Sequence, residues 1–258
     1  MLLAGRNPAR FLRLGKVVEV EPADLFATNW PLPVEGVGTL EAYPNRNSLQ
    51  YLGLYGLHDV DTMFRGTLRY PGWCRMMKTL VDLGWLDLQP PPREVETLGR
   101  LTAFLLRRQV AAMTAEEIRQ GVAARFQLPP DGDTIQRLEW AGLFSDTRLA
   151  THDTILDALA EVLKEKLVYQ PRERDMIALL HQFDAVDARG KKLAISSTLV
   201  DFGVPGGDSA MARTVSLPAA IAARLILEGG IRTAGVKIPV EPEIYGPVLD
   251  ELARVGIV

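Results

Sequence analysis

The residues best suited to chemistry lie in the segment from Thr62 to Gly72, whose pattern predicts a β-strand. Side chains alternate between the two faces of a strand. One face is predicted to carry Met63, Arg65, Thr67 and Arg69, and the apolar face Phe64, Leu68 and Tyr70. The two guanidinium groups would lie about 7 Å apart with a hydroxyl between them, which suits a ligand with several carboxylates. The pattern alone favours the alternative, a solvated edge strand with two surface arginines.

Other reactive side chains give weaker signals. Glu173 and Asp175 are candidates for a general acid or base, but Arg172 and Arg174 flank them, and ion pairs are the favoured interpretation. The single cysteine, Cys74, is predicted to pack rather than to act as a nucleophile. No metal site is predicted. The histidines, which lie far apart and lack the spacing of metal ligands, are His58, His152 and His181.

The elements that would position these residues fall into three consecutive parts. Residues 1–92 combine short strands with a helix that begins after Pro71-Gly72 and ends at Gly84. Residues 93–168 show only helical patterns, and residues 169–258 predict a long antiparallel hairpin followed by C-terminal helices. The predicted fold class is α/β of the α+β type. It has a mixed, largely antiparallel sheet with flanking helices, interrupted by an all-helical subdomain.

Composition limits the classes of partner. The 258 residues are 47% hydrophobic and 24% charged with a net charge of −3, as expected of a globular protein. No run of Lys or Arg resembles a nucleic-acid footprint, so no nucleic-acid partner is predicted. No apolar run approaches the roughly 20 residues of a membrane span, so no membrane partner is predicted either. A single cysteine fits a reducing compartment, and the predicted location is cytoplasmic.

Segments spread along the whole chain resemble, in the same order, the saccharopine dehydrogenase (saccharopine reductase) family, the NADP-linked, glutamate-forming enzymes of lysine metabolism. The segments are residues 2–10 (LLAGRNPAR), 43–48 (YPNRNS), 62–72, 137–146 (RLEWAGLFSD), 173–176 (ERDM), 197–201 (STLVD), 206–212 (GGDSAMA), 217–222 (LPAAIA) and 242–245 (PEIY). Residues 1–92 and 169–258 are then expected to form the substrate-binding α/β domain, with residues 93–168 as a helical insertion.

The resemblance implies substrate-binding roles around the predicted strand. Arg65 matches the family arginine that holds a substrate carboxylate, and Thr67 adds a hydrogen bond. Two interpretations of Arg69 stay open, a substrate contact or an ion pair with Asp59 or Asp61.

The loop residues Asn45 and Arg46 are candidates for the lining of the same cleft, although an ordinary turn with Ser48 capping a short helix fits equally. Asn47 stands where the family usually has an aspartate, which removes a charge from this loop.

On the cofactor side, Gly206, Gly207 and Ser209 precede a predicted helix whose N–H groups suit an anion. Asp208 replaces the usual aromatic residue of the family and is predicted to cap that helix.

The resemblance also implies a function and partners. The expected activity converts saccharopine, NADP and water into glutamate and α-aminoadipate semialdehyde, or runs in reverse. No G-x-G-x-x-G turn follows a strand here, so we expect the NADP-binding Rossmann domain to be a partner in cis or in trans, and this chain alone to be inactive. A homodimer is a further expected assembly. The alternative is a non-catalytic amino-acid-binding or assembly module derived from the family.

Overall fold

The computed structural model describes residues 2–106, 113–149 and 153–258. The chain divides into two compact bodies. The first comprises Met1–Leu32, Thr39–Gly53 and Leu57–Val168, and the second comprises Pro33–Gly38, Leu54–Gly56 and Tyr169–Val258. The helical segment predicted over residues 93–168 therefore lies within the first body. His152, one of the three histidines considered above as metal ligands, lies outside the described residues.

The described residues combine α-helices with three separate sheets of two or three strands, which confirms the predicted α/β class. The strands are β1 (Ala9–Arg13), β2 (Lys16–Val20), β3 (Trp30–Val34), β4 (Gly38–Pro44), β5 (Gly66–Arg69), β6 (Met176–Val186) and β7 (Lys192–Phe202). The α-helices are α1 (Gln50–Leu54), α2 (Trp73–Leu83), α3 (Leu98–Leu105), α4 (Ala115–Phe126), α5 (Asp133–Trp140), α6 (Ile155–Lys166), α7 (Ala210–Leu227) and α8 (Pro242–Arg254).

The predicted strand from Thr62 is shorter than its pattern suggests. β5 contains four residues, and β4 lies between β3 and β5 in their sheet. Met63 instead forms an isolated bridge to Leu12, in which both backbone N–H groups donate to the opposite carbonyl. The strand ends at Arg69 because the chain turns into α2, where the Trp73 N–H donates to the Tyr70 carbonyl at 3.2 Å. Tyr70, predicted to lie on the apolar face, is consequently 62% exposed, and that prediction was wrong.

Helix α2 follows β5 along the chain and packs into the core of the first body. Its buried positions include Cys74, Met77 and Leu80, which follow the helical spacing of three residues. The helix ends as predicted at Gly84, whose φ of 101° allows its N–H to bond the Leu80 and Val81 carbonyls. The core continues into α3, α4, α5 and α6, so one hydrophobic cluster supports both the strand and the helical segment.

Between residues 93 and 168 the described part of the chain contains helices α3 to α6 and no strand, as predicted. Thr114 begins α4 with a capping box, since its side chain accepts from the Glu117 N–H and Glu117 accepts from the Thr114 N–H. Thr97 and Thr154 cap α3 and α6 through one bond each, in which the side chain accepts a backbone N–H three residues later. Local sequence therefore defines where α3, α4 and α6 begin.

The second body is built on a long hairpin. β6 and β7 pair antiparallel from Met176 opposite Phe202 to Val186 opposite Lys192, which confirms the predicted hairpin. The Asp187 side chain closes the turn by accepting the N–H groups of Arg189 and Lys191. Helices α7 and α8 form a small core around Val248, Leu252 and Ile257, and Leu199 of β7 packs against it.

Helix α7 is the one helix of the described residues that is long and apolar enough to cross a membrane. Its 18 residues have a mean hydropathy of 1.4, and only 6% of them are buried. A single such helix is weak evidence for a membrane span. Its two arginines are engaged in ion pairs, Arg213 with Asp201 and Arg224 with Glu228 and Glu251.

Candidate functional site

The pairing of β4 with β5 brings four polar side chains onto one face of the sheet. Glu41 lies opposite Arg69, and Tyr43 lies opposite Thr67. The alternate residues of β4, Leu40 and Ala42, are buried on the other face. Period-two alternation along β4 could have revealed Glu41 and Tyr43, but the pairing register that joins them to Thr67 and Arg69 comes only from the structure.

Thr67 links the predicted loop to this face. The Asn45 side-chain amide donates to the Thr67 hydroxyl at 3.1 Å, and Tyr43 lies directly opposite Thr67 in the strand pairing. Burial raises the pKa of Tyr43, and the Arg69 charge and the Thr67 hydroxyl oppose that rise only in part. The phenol therefore stays protonated at neutral pH and offers a hydrogen-bond donor beside Arg69. Tyr43 was not among the sequence-derived site residues.

Arg69 is half-buried and has no carboxylate within ion-pair distance among the described residues. One of its terminal nitrogens donates to the neighbouring Leu68 carbonyl at 2.8 Å, and its guanidinium lies 5.6 Å from the centre of the Trp73 ring. The structure brings neither Asp59 nor Asp61 into an ion pair with it, so that alternative is not realised. A guanidinium supported by an aromatic ring and free of carboxylates is suited to bind an anionic ligand.

Arg65, which directly precedes β5, also lies against an aromatic ring. Its guanidinium donates to the Tyr51 hydroxyl at 2.8 Å and lies 5.1 Å from the centre of the Tyr51 ring. Its backbone N–H donates to the hydroxyl of Ser48 at 3.0 Å. Arg65 is exposed and, within the described residues, forms no ion pair. Both predicted arginines thus lie against an aromatic ring and have no carboxylate partner in the part of the chain that the structure describes.

The loop of Asn45 and Arg46 is a constrained turn. Arg46 is exposed and has a left-handed φ of 54°. Asn47, rather than Ser48, accepts the Leu49 N–H ahead of α1 at 3.0 Å. Ser48 is 1% exposed and its hydroxyl accepts the Arg65 N–H just before β5, so the alternative in which its side chain caps a helix is not realised.

Glu41 anchors the beginning of α2 to β4. Its two carboxylate oxygens accept the N–H groups of Gly72 at 2.8 Å and of Cys74 at 2.9 Å. Burial, then the negative charge of Glu41 and a hydrogen bond with it, raise the pKa of the Cys74 thiol from 9.0 to about 12. Cys74 is 1% exposed and stays a neutral thiol, which agrees with the predicted packing role.

In the second body, Gly206 and Gly207 form a turn before α7. Gly206 has a φ of 72°, and the Gly207 N–H donates to the Val204 carbonyl at 2.8 Å. Ser209 is the N-cap of α7 and accepts the Ala212 N–H at 3.0 Å. Asp208 is exposed and does not cap the helix, so that prediction was wrong.

Asp175 occupies the position that an anion would take at the start of α7. Its two oxygens accept the N–H groups of Ala210 at 2.7 Å and of Met211 at 2.8 Å. The favoured interpretation of Asp175 as an ion-pair residue was therefore wrong. Nor does Glu173 form an ion pair within the described residues, since its carboxylate accepts the Gln170 N–H at 2.8 Å.

Metal ligands are not brought together in the described part of the chain. No group of three or more His, Cys, Asp or Glu side chains there has a geometry that could hold an ion. His181 lies on β6 with its ring 6.2 Å from that of Phe183. The absence of a metal from this protein stays a prediction.

Comparison with known proteins shows the family to which this chain belongs. The sequence profile described as "Saccharopine dehydrogenase C-terminal domain" matches residues 1–257. The saccharopine dehydrogenase (NADP(+), L-glutamate-forming) of Schizosaccharomyces pombe is 34% identical over 265 residues, which cover 100% of this chain and 58% of that protein. The mitochondrial alpha-aminoadipic semialdehyde synthase of Rattus norvegicus is 34% identical over 257 residues, covering 98% of this chain and 28% of that protein.

A solved structure shows the same fold. The apo, histidine-tagged saccharopine dehydrogenase (L-Glu forming) of Saccharomyces cerevisiae superposes with a TM-score of 0.87 and 34% identity, over 99% of this chain and 58% of that one. The fold and its matches define the class, an α/β domain of the kind that forms part of these larger relatives. The chain belongs to the saccharopine dehydrogenase C-terminal domain family, as its sequence segments suggested. It spans 58% of the length of the two yeast enzymes named here.

Proposed function

We propose that this chain is the substrate-binding portion of a saccharopine dehydrogenase of the NADP-linked, L-glutamate-forming type, which acts in lysine metabolism. The observation that carries the proposal is the pair of arginines around β5, each supported by an aromatic ring and free of ion pairs within the described residues. Saccharopine has three carboxylates, and a guanidinium binds a carboxylate through two parallel hydrogen bonds.

The residues of this chain would bind and orient the substrate. Arg65 and Arg69 hold carboxylates, and Thr67 adds a hydrogen bond between them. Asn45 fixes the Thr67 hydroxyl, and its neighbour Arg46 is exposed at the turn that leads into the site. The protonated Tyr43 hydroxyl is a further donor on the same face. Holding a flexible tricarboxylate in one orientation accelerates a reaction by removing translational and rotational freedom.

NADP is the cofactor of the relatives by name. The turn ahead of α7 does not fit its pyrophosphate, because Asp175 already accepts the first two N–H groups of α7 and the Gly207 N–H is bonded within its turn. We therefore propose that a Rossmann domain, in cis or in trans, binds the pyrophosphate. Gly206, Gly207 and Ser209 stay a prediction for the cofactor side of the cleft.

The hairpin of the second body exposes apolar side chains that a partner would cover. Leu179, Phe183 and Ile195 are 50–51% exposed on one face of β6 and β7. A large exposed apolar surface is typical of an interface. We propose the Rossmann domain or a second copy of the chain as its partner. A cytoplasmic location also stays a proposal.

The proposal is tested by combining this chain with a separately produced Rossmann portion of a family enzyme. Alone, the chain should bind NADPH no better than weakly in calorimetry and should not turn over saccharopine. The mixture should reduce NADP when saccharopine is added. Micromolar NADPH binding by the chain alone would contradict the assignment of the cofactor to the other domain.

The second candidate is a non-catalytic amino-acid-binding or assembly module. The exposed face of the hairpin favours it, because assembly needs such a surface whether or not a reaction follows. Saccharopine binding without turnover in the mixture, at ratios where the two portions form a stable complex, would support this alternative. The same mixture therefore discriminates the two functions.

A further inference from the structure

Glu41 and Arg69 are direct neighbours across β4 and β5 that do not pair with each other. Their register places opposite charges side by side, which ordinarily gives a cross-strand ion pair. Both oxygens of the Glu41 carboxylate are instead engaged by the Gly72 and Cys74 N–H groups of α2. These are charge-assisted bonds at a helix N-terminus, where the helix dipole favours a negative charge.

The two residues that bond Glu41 flank Trp73, whose ring supports Arg69. The Arg69 guanidinium lies 5.6 Å from the centre of that ring and has no carboxylate partner in the described residues. The backbone on both sides of Trp73 is thus held in place, and the ring itself packs against the core of the first body. The Glu41 carboxylate is bonded to these N–H groups and forms no ion pair with Arg69.

We propose that Glu41 is a positioning residue of the carboxylate site: by capping α2 it holds Trp73 beside Arg69 and leaves the Arg69 guanidinium free for a substrate carboxylate. This inference rests on the proposed function in one respect, that Arg69 binds saccharopine. Glu41 does not itself contact the substrate in this scheme. It acts through Trp73 and Arg69.

The test is a double-mutant cycle in a full-length enzyme that carries this chain, using Glu41→Gln and Arg69→Met. Glutamine keeps the size of the side chain but has a single acceptor oxygen, so one of the two α2 N–H groups loses its partner. We expect Glu41→Gln to raise the saccharopine KM about tenfold, the effect of one charge-assisted hydrogen bond. The kcat and the NADP KM should stay within about twofold of their original values, because the residue acts only through substrate positioning.

Coupling between the two changes gives the decisive readout. In the Arg69→Met background, Glu41→Gln should raise the saccharopine KM no further, since the residue that it positions is gone. Glu94→Gln, which removes an exposed carboxylate from the same body, is the matched control and should change neither KM. If Glu41→Gln does not fold, Glu41→Asp replaces it in the cycle. Aspartate keeps the charge on a side chain one methylene shorter and should also raise the KM.

The outcomes separate this inference from the function on which it rests. An unchanged KM in Arg69→Met would refute the role of Arg69, and the positioning role would fall with it. If Arg69→Met raises the KM while Glu41→Gln only lowers the melting temperature, Glu41 is a structural cap and the inference is wrong. Multiplicative KM effects in the double variant would also overturn it, because independent contributions are not coupled.

Discussion

The Asp175 carboxylate accepts the Ala210 N–H at 2.7 Å and joins the start of β6 to the first turn of α7. Its second oxygen accepts the Met211 N–H, and the residue is 9% exposed. An acidic side chain that is buried and doubly bonded at a helix N-terminus is a structural cap. The chemistry that acidity alone suggested for Asp175 is replaced by a role in the architecture of the second body.

Asp175→Asn should destabilise the chain by about 2–4 kcal/mol, because the amide can accept only one of the two N–H groups and loses the charge that favours the helix terminus. Urea denaturation followed by circular dichroism measures this. The matched control is Asp208→Asn, an exposed carboxylate in the preceding turn, which should change stability by less than about 0.5 kcal/mol. Equal effects of the two substitutions would show that Asp175 is not the principal cap of α7.

Arg65→Lys should weaken saccharopine binding or transition-state stabilisation by roughly 1.5–3 kcal/mol, because lysine keeps the charge but loses the planar fork and the stacking on Tyr51. The melting temperature should hardly change, since an exposed arginine contributes little to folding. Turnover in a full-length enzyme, read beside thermal unfolding, tests both statements. The control is Arg100→Lys, on the exposed side of α3. Intact turnover with a collapsed melting temperature would identify Arg65 as a structural residue.

Gly66→Ala should destabilise the first body by roughly 2–4 kcal/mol, the range for a forced clash in a packed site. A Cβ at this position would lie 2.5 Å from the Phe64 ring and 2.8 Å from the Tyr43 carbonyl oxygen, and the strand pairing leaves that backbone little room to move. Gly66 therefore lies where the neighbouring backbone approaches too closely to leave room for a side chain. Gly53→Ala is the control, because nothing lies within 4 Å of a Cβ there. A stable Gly66→Ala variant would mean that the two strands separate easily.

Cys74 should make the stability of the chain fall at alkaline pH. The native thiol has a pKa raised from 9.0 to about 12, so the unfolded chain releases its proton first as the pH rises. The contribution to stability is therefore complete below the unfolded value of 9.0 and is lost as the pH approaches the native value.

Urea denaturation at pH 8 and pH 10 measures this effect, and the chain should lose about 1 kcal/mol more between them than a Cys74→Ala variant does. The pKa of Tyr43 is also raised. Because both proteins contain Tyr43, its contribution to the pH dependence cancels when the two are compared. Identical pH dependence in the two proteins would contradict the buried neutral thiol. Reaction of the native chain with a thiol reagent at neutral pH would contradict it as well.

Much of the local structure followed from the sequence. The alternation predicted along residues 62–70 holds inside β5, where Thr67 and Arg69 share one face, whereas Arg65 and Tyr70 lie outside that strand. The end of α2 at Gly84 and the turn at Asp187 depend on residues within five positions, so their signals are local. The segments shared in one order with the saccharopine dehydrogenase family identified the family without any contact being known.

The sequence by itself therefore determined the α/β class, the limits of several elements and the family, while the substrate-binding roles of Arg65 and Arg69 stay predictions. Only the tertiary structure decided which hydrogen-bond partners the buried polar side chains have. Glu41 bonds α2 rather than Arg69, Ser48 bonds Arg65 rather than a helix, and Asp175 caps a helix 35 positions later. Each of these contacts joins residues far apart in the sequence, so no local pattern predicts it. Folding favours it because a polar group that is buried without a hydrogen-bond partner costs free energy.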